Sequence, residues 1–188
     1  MKKGFTLIEL LIVLALISIL AGILIVVIKP QEIFRRARDT QRKGDLSNVQ
    51  RAIDAYLADV MQNPNISVNW CPGNTISYST PLTSAPGGWP AVPAGYTATG
   101  TTSTAVNGTG WVRYVTLASS TLVNLYSLPL DPLNSTVGGT GYFYAFVCTG
   151  NAGEYELNAK LEGDTASMQN DGGNRTDLYE IGPNKDLY

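Results

Sequence analysis

The first apolar segment of the chain begins with Gly4-Phe-Thr-Leu-Ile-Glu-Leu-Leu-Ile-Val-Leu14, in which Glu9 is the only charged residue. The apolar run continues to residue 28. As a helix, residues 5–28 would be about 36 Å long, enough to cross a hydrocarbon core of about 30 Å. An ionised acid costs about 2.5 to 3.5 kcal/mol at mid-bilayer, and less near a helix end. We therefore expect Glu9 to have a function and a partner.

The apolar run does not fit a cleaved secretory signal. Lys2 and Lys3 precede it, but it is longer than the roughly 7 to 15 apolar residues of such a signal, and no A-x-A cleavage site follows. No twin Arg precedes the run and no Cys lies near its end, so nothing indicates a twin-Arg signal or a lipid-modified Cys. A plain signal anchor that holds an unrelated domain is the alternative interpretation.

The segment Lys3-Gly-Phe-Thr-Leu-Ile-Glu9 resembles the class III signal of type IV pilins and type II secretion pseudopilins. The resemblance implies that a prepilin peptidase cuts after Gly4 and methylates the new N-terminal Phe5, which Thr6 follows. It also implies that Glu9 pairs with the amine of an adjacent subunit, in a homopolymer built through the N-terminal helices. The combination of Gly4, Phe5 and Glu9 favours this family over a plain anchor, although the motif covers only the start of the chain.

The resemblance implies an α+β, type IV pilin-like fold, in which a long N-terminal transmembrane helix packs on a small C-terminal antiparallel sheet. The predicted divisions are a leader (1–4), a transmembrane and filament-core helix (5–28), an amphipathic continuation of the helix (29–62) and a globular head (63–188). In the head, a loop-rich connection (63–110) precedes the sheet region (111–188). The chain is expected to be a single-pass protein of the bacterial inner membrane with an exported head, and part of an extracellular pilus after assembly.

The second part of the helix is predicted from its own apolar spacing. Apolar residues recur every three or four positions and predict one buried stripe, formed by Leu46, Val49, Ile53, Tyr56 and Val60. Pro30 predicts a kink just after the apolar run, because proline removes a backbone donor. Asn63-Pro64-Asn65 predicts the end of the helix.

The rest of the chain predicts loops followed by strands. Residues 72–110 are rich in Gly, Ser, Thr, Pro, Ala and Asn, which predicts mostly loop with a short extended piece at 75–79. Residues 142–148 and 154–161 predict a β-hairpin, with a third strand at 178–181 and a less regular fourth at 111–117. Apolar and charged residues alternate along 154–162, which predicts a half-buried strand whose charged face is in water. The turn Leu128-Pro-Leu-Asp-Pro132 also resembles a region of pseudopilins and some bacterial pilins.

The two cysteines, Cys71 and Cys148, are the only ones in the chain. Because the resemblance implies export, we expect them to form a disulfide that ties the connecting region to the sheet. Two cysteines alone cannot complete a four-ligand zinc site. The chain has no His, which removes every Ser-His or Cys-His nucleophile pair and disfavours an enzyme, while a carboxylate pair or a Ser-Lys dyad stays open.

Basic residues cluster just after the apolar run, and acidic residues dominate the end of the chain. The cluster consists of Arg35, Arg36, Arg38, Arg42 and Lys43. Clustered cations can bind nucleic acid or anionic lipid. No aromatic residues that could stack on bases lie among them, so nucleic-acid binding is not expected as a dedicated function, and a solvated helix face with pairs such as Arg35 to Asp39 is favoured.

The uneven charge has two further consequences. Acidic heads could approach the basic helices of neighbouring subunits. By the positive-inside rule, the basic cluster would place the C-terminal side of the span in the cytoplasm. The cysteines and the family resemblance favour export of that side, and the two arguments stay in conflict.

Four oxygen-bearing side chains precede the last predicted strand: Asp164, Asp171, Asn174 and Asp177. Ca²⁺ takes about six to eight oxygen ligands, and major pseudopilins carry calcium in their C-terminal loop, so these residues are candidate calcium ligands. A polar turn between strands is the alternative interpretation. No other cofactor is expected.

These features together predict a structural subunit of a type IV pilus, assembled by pilus machinery for adhesion, motility or DNA uptake. A head-to-tail contact that does not close generates a filament. The alternative is a pseudopilin assembled by type II secretion machinery. A membrane-anchored enzyme or binding domain is less favoured.

Overall fold

Two consecutive helices lead into a five-stranded sheet in the computed structural model, which describes residues 4–62, 70–82, 84, 88–136 and 141–188. The predicted α+β class with a long N-terminal helix is confirmed. In chain order, the elements are α1 (Leu7–Ile28), α2 (Pro30–Gln62), β1 (Thr75–Tyr78), β2 (Thr97–Gly100), a 3₁₀ helix (Leu117–Ser119), β3 (Tyr144–Cys148), β4 (Tyr155–Ala159), α3 (Thr165–Gln169) and β5 (Tyr179–Ile181).

The kink predicted near Pro30 is a one-residue break between α1 and α2. Lys29 separates them in a left-handed conformation with φ 47°. Proline disfavours the α conformation at the residue before it, and it suits the first position of a new helix because its missing N–H would have no helical partner there. The Lys29 carbonyl accepts a bond from the Glu32 N–H at 2.9 Å, which ties the break to the first turn of α2.

The apolar stripe predicted on α2 is buried, as expected. It consists of Leu46, Val49, Ile53, Tyr56 and Val60, and it forms one core with the sheet. Two charged residues, Asp39 and Arg42, extend the same stripe toward the N-terminus and are also buried. The predicted helix stop at Asn63-Pro64-Asn65 lies outside the described residues.

The sheet has the order β2-β1-β3-β4-β5, with β1 and β2 parallel and the other pairs antiparallel. The predicted hairpin is β3 and β4, the predicted third strand is β5, and the extended piece near residue 75 is β1. Strand β2 was not predicted, because Thr-Ala-Thr-Gly is short and has no large apolar residue to mark a buried face. Two of the five strands therefore come from the connecting region.

The strand predicted at residues 111–117 is wrong. This segment is a loop that ends in the 3₁₀ helix, and Tyr114 has a left-handed φ of 70°, which breaks an extended conformation. Trp111 and Leu117 are nonetheless buried in the core, and the Trp111 indole N–H donates to the Pro129 carbonyl at 2.8 Å. The aromatic and branched residues here serve core packing rather than strand pairing.

The two faces of the sheet are both covered. The front face packs on α2 and includes Tyr155, Leu157 and Ala159 of β4. The back face packs under residues from 89–98 and from the C-terminal segment 182–188. The prediction that the charged face of β4 is in water is wrong, because Glu156 and Asn158 lie on this covered back face and are fully buried.

Candidate functional site

Among the residues that the structure describes, none covers helix α1. Every described residue from 4 to 30 is exposed, and Phe5 is 85% exposed. The helix is long and apolar enough to cross a membrane. Because water strongly disfavours so large an apolar surface, a bilayer or other helices must cover it.

The start of α1 is a capping box made by Thr6 and Glu9. The Glu9 N–H donates to the Thr6 hydroxyl oxygen at 3.3 Å. The Thr6 N–H and hydroxyl both reach one oxygen of the Glu9 carboxylate, at 3.2 and 3.0 Å. The two residues predicted to act in assembly, Thr6 and Glu9, thus contact each other just after Phe5, and the Glu9 carboxylate satisfies the backbone N–H of Thr6 at the start of its own helix.

A buried arginine holds α2 to two separate parts of the head. Arg42 is fully buried and binds both carboxylate oxygens of Asp131, at 2.6 and 3.1 Å. The same guanidinium donates to Asp39 at 2.8 Å and to Glu162 at 2.7 Å, and its Cζ lies 4.7 Å from the centre of the Tyr142 ring. Burial by itself lowers the pKa of Arg42, but the bonds and charges of these acids outweigh burial and raise that pKa above its ordinary value.

Asp39 completes this cluster by binding backbone. Its carboxylate accepts the N–H groups of Glu162, Gly163 and Asp164, at 2.8, 2.8 and 3.1 Å. The Arg35 to Asp39 pair expected from the spacing is therefore replaced by bonds to Arg42 and to the turn after β4. We call Arg42, Asp39, Asp131 and Glu162 the ionic junction.

Two further ion pairs flank the ionic junction. Arg38 donates to Glu162 at 2.6 Å, and Lys43 donates to Asp164 at 2.6 Å. The bond from Arg38 lowers the pKa of Glu162, and the bond from Lys43 lowers the pKa of Asp164 to about 2. These acids are thus engaged by α2 of their own subunit, so the predicted contact between subunits would have to use other charges.

The disulfide joins the residues that were predicted to pair. Cys71 follows α2 and Cys148 ends β3, with their Cα atoms 6.1 Å apart and a sequence separation of 77. The bond connects the beginning of the head to its central strand. Both residues belong to the front core.

The four candidate calcium ligands are not brought together as one ligand set. Asp164 caps α3 and binds Lys43, while both oxygens of Asp177 accept bonds from Arg175. Asp171 accepts the N–H groups of Gly173 and Glu180. Asn174 is exposed. Within the described ranges, no group of three or more His, Cys, Asp or Glu residues has a metal-binding arrangement, so calcium binding by this loop stays a prediction without support from the geometry.

The ionic junction was missed from the sequence, although a signal for it existed. Asp39 and Arg42 continue the helical spacing of the stripe that begins at Leu46, so they lie on the side of α2 that faces the head. Asp131 is an isolated acid at the end of a long segment with few charges. A charged pair on an apolar stripe and a lone distant acid together indicate a buried ion pair.

Comparison with known proteins identifies the N-terminal segment. Residues 1–25 match the family model of the prokaryotic N-terminal methylation motif. No curated protein and no solved structure matches the chain significantly. The matched segment contains Gly4, Phe5 and the capping box, and it ends within α1.

Proposed function

We propose that this chain, which carries the class III prepilin signal of the type IV pilin and pseudopilin family, is a structural subunit of a type IV pilus. The observation that carries the proposal is that this signal runs directly into a 22-residue apolar helix that no described part of the subunit covers. The motif points to a family of structural proteins rather than enzymes. Before assembly the subunit would be inserted in the inner membrane. It would then enter a filament whose centre is formed by packed α1 helices.

Glu9 would guide each subunit into the filament. Cleavage after Gly4 creates a charged amine at Phe5, one helical turn from Glu9. In the low dielectric of a helix bundle, this amine and the Glu9 carboxylate of a neighbouring chain attract strongly and offset the cost of burying both charges. The capping box supports this role, because it holds the carboxylate at the end of the helix where such an amine would lie.

The head would move together with α2. The ionic junction joins the head to α2, and the disulfide joins Cys71, near the start of the head, to its central strand. Such attachment lets the subunit enter a filament without loss of the fold of its head.

A pseudopilin is the second candidate. The turn at residues 128–132, which resembles a region of pseudopilins and of some bacterial pilins, supplies Asp131 to the ionic junction and does not separate the two candidates. The N-terminal signal is common to both candidates. The two differ in the assembly that contains the chain, which is a surface pilus in one case and a secretion machine in the other.

Imaging of intact cells with an antibody to the head tests the proposal. We expect labelled surface filaments that disappear when the gene is deleted. A deletion that stops protein secretion, in cells that never show labelled filaments, would establish the pseudopilin instead.

Processing gives a separate test of family membership. Subunits from the assembled state should begin at a methylated Phe5 by mass spectrometry. Gly4→Val should leave an uncut precursor in the membrane, since Gly4 alone lacks a Cβ at the cleavage position. Assembled subunits that keep residues 1–4 would remove the main support for the assignment.

A further inference from the structure

Six basic side chains lie between residues 29 and 43, and the structure divides them into two groups. Three of them bind acids of the head: Arg38, Arg42 and Lys43. The other three are exposed and lie closer to the end of α1: Lys29, Arg35 and Arg36. We call these last three residues the exposed basic group. The head does not neutralise them, so their charge is available to another partner.

The exposed basic group carries more positive charge than its own helix compensates. Arg36 pairs with Glu32 at 3.4 Å on the surface of α2. Neither Lys29 nor Arg35 has an ion-pair partner among the residues that the structure describes. One acid against three cations leaves two positive charges uncompensated at the start of α2.

These side chains border a groove at the break between the two helices. It is an open groove of about 390 Å³, lined by Lys29, Pro30, Gln31, Glu32 and Arg35. The left-handed conformation of Lys29 produces it, because α1 ends there and α2 begins without a continuous helical turn. The volume lies within the range of about 300 to 1,000 Å³ that is found for small-ligand sites.

The groove lies at the depth of lipid headgroups when α1 crosses a bilayer. The 22 residues of α1 are about 33 Å long, close to the thickness of about 30 Å of a hydrocarbon core. Lys29 follows the last residue of α1 directly. Arg35 lies about 9 Å farther along, and side chains on a helix tilt toward its N-terminus, which is the membrane side of α2. Its long side chain can therefore reach the headgroups.

Two large apolar side chains lie among these cations. Ile33 and Phe34 are 53% and 63% exposed, so no described part of the head covers them well. The boundary between headgroups and acyl chains accommodates this combination, since apolar side chains enter the acyl region while cations stay at the phosphates. Nucleic acid would use the cations but leave Ile33 and Phe34 in water, so the surface favours a lipid.

We propose that the exposed basic group binds the phosphate of an anionic phospholipid, in the leaflet on the head side of the membrane. The proposal rests on the part of the proposed function that places α1 in a bilayer. Phosphatidylglycerol is a suitable lipid, because its phosphate carries its only charge and it has no amine to repel Lys29 and Arg35. The bound lipid would fix the depth of the unassembled subunit and would have to leave when the subunit enters a filament.

The test measures which lipid stays bound to the processed full-length chain. The chain is inserted in vesicles with equal amounts of phosphatidylglycerol and phosphatidylcholine and purified in mild detergent, and the retained lipids are quantified by mass spectrometry. We expect retention of phosphatidylglycerol over phosphatidylcholine by about tenfold or more, because each cation near an anionic surface contributes about a fivefold preference. Washing at about 1 M salt, where the Debye length is about 3 Å, should remove most of the preference.

Variants locate the site. Lys29→Asn, which suits the left-handed conformation, and Arg35→Gln should each lower the preference by about fivefold. The two changes together should leave near-equal retention of the two lipids. Glu32→Gln should act in the opposite direction and raise the preference, because it removes the acid that lines the groove and frees Arg36.

Arg51→Gln is the matched control. Arg51 is also an exposed arginine of α2, but it lies about 24 Å farther from the span than Arg35. This distance exceeds two Debye lengths of about 10 Å at 0.1 M salt. The variant loses the same charge and should retain the two lipids like the wild type.

Equal retention of the two lipids by the inserted wild-type chain would overturn the proposal and leave the proposed function intact. A preference that Arg51→Gln weakens, and that the double change of Lys29 and Arg35 leaves unchanged, would also overturn it. Release of phosphatidylglycerol by duplex DNA at constant ionic strength would assign the cations to nucleic acid, and release by inorganic phosphate would assign them to a soluble anion. A chain that does not float with the vesicles would overturn the membrane step of the proposed function as well.

Discussion

The two long helices differ in a way that separates assembly from stability. Helix α1 is almost entirely apolar and has no buried residue, whereas α2 is rich in charge and buries Asp39 and Arg42 along with its apolar stripe. Burial here follows from what each helix has to pack against rather than from hydrophobicity. Changes in α1 should therefore affect the proposed filament and leave the head intact, and changes along the buried side of α2 should do the opposite.

The largest expected effect lies in α1. Glu9→Val removes the proposed partner of the Phe5 amine. The chain should still be cut after Gly4 and kept in the membrane, but the number of filaments should fall by about tenfold or more. A loss of only about 1.4 kcal/mol per contact suffices for a tenfold change in an equilibrium. Filament number by electron microscopy is the measurement.

Ser18→Val is the matched control for this change, because it also makes α1 more apolar but removes only a bond to the Leu14 carbonyl. It should leave filament number unchanged. Normal filaments in Glu9→Val would exclude the pairing mechanism without affecting the cleavage assignment.

In α2 the largest effect should come from the ionic junction. Arg42→Met leaves Asp131, Asp39 and Glu162 without their shared cation, and loss of one partner of a buried ion pair costs about 3 to 5 kcal/mol. The free energy of unfolding of the head, from denaturant titration, should fall by this amount while processing and membrane insertion continue.

Arg36→Met is the control for Arg42→Met, and the losses of unfolding free energy in the two variants are compared. Arg36 lies on the same helix, is 75% exposed and pairs with Glu32, and such surface pairs contribute about 0 to 1 kcal/mol. Equal losses in the two variants would show that the ionic junction does not hold the head to α2.

The disulfide should contribute somewhat less. Replacing Cys71 and Cys148 together by Ala removes a long closed loop, and disulfides typically stabilise a fold by about 2 to 4 kcal/mol. Denaturant titration should show this loss in the head, and reduced wild-type protein should behave like the double variant. If the wild-type protein unfolds at the same denaturant concentration with and without reductant, the disulfide does not stabilise the head and the prediction is wrong.

The smallest effect concerns the Lys43–Asp164 pair. Because the pKa of Asp164 is lowered in the fold to about 2 from an ordinary value near 3.8, the pair stabilises the fold above pH 4 and is lost as pH falls toward 2. Asp164→Asn should reduce stability at pH 7 by about 0.2 to 1 kcal/mol, as expected of a partly exposed pair, and flatten the pH dependence below pH 4. Asp186→Asn, at an exposed residue, should leave that dependence unchanged; a steep slope that survives in Asp164→Asn would assign it to other acids, Glu162 first.

The parts of the fold with strong periodicity could be predicted. The apolar run predicted α1, the stripe beginning at Leu46 predicted α2, and two strand-like segments on either side of a Gly-containing turn predicted the hairpin of β3 and β4. Pro30 marked the break because its effect on the preceding residue is local. Such features depend on near neighbours in the sequence.

Features that depend on distant covering segments could not be predicted. The alternation in β4 shows that Glu156 and Asn158 share a face, but not that the irregular residues 182–188 cover it. The apolar composition of 111–117 suits a strand or a core loop equally, and the φ of Tyr114 decides between them. In the candidate site, the residues of the N-terminal motif were predicted, whereas Asp131 joined the ionic junction through a contact across 89 positions.

The break at Lys29 also divides the chain into two units that can melt separately. Helix formation is cooperative only while each turn supports the next. The left-handed residue before Pro30 interrupts the helical turns, so this cooperativity does not extend from α2 to α1. Local opening of α2 and the head should therefore stop at the break, and amide hydrogen exchange should be slow in α1 under conditions where the head exchanges. A head that unfolds would stay joined to an intact α1 and could refold in place.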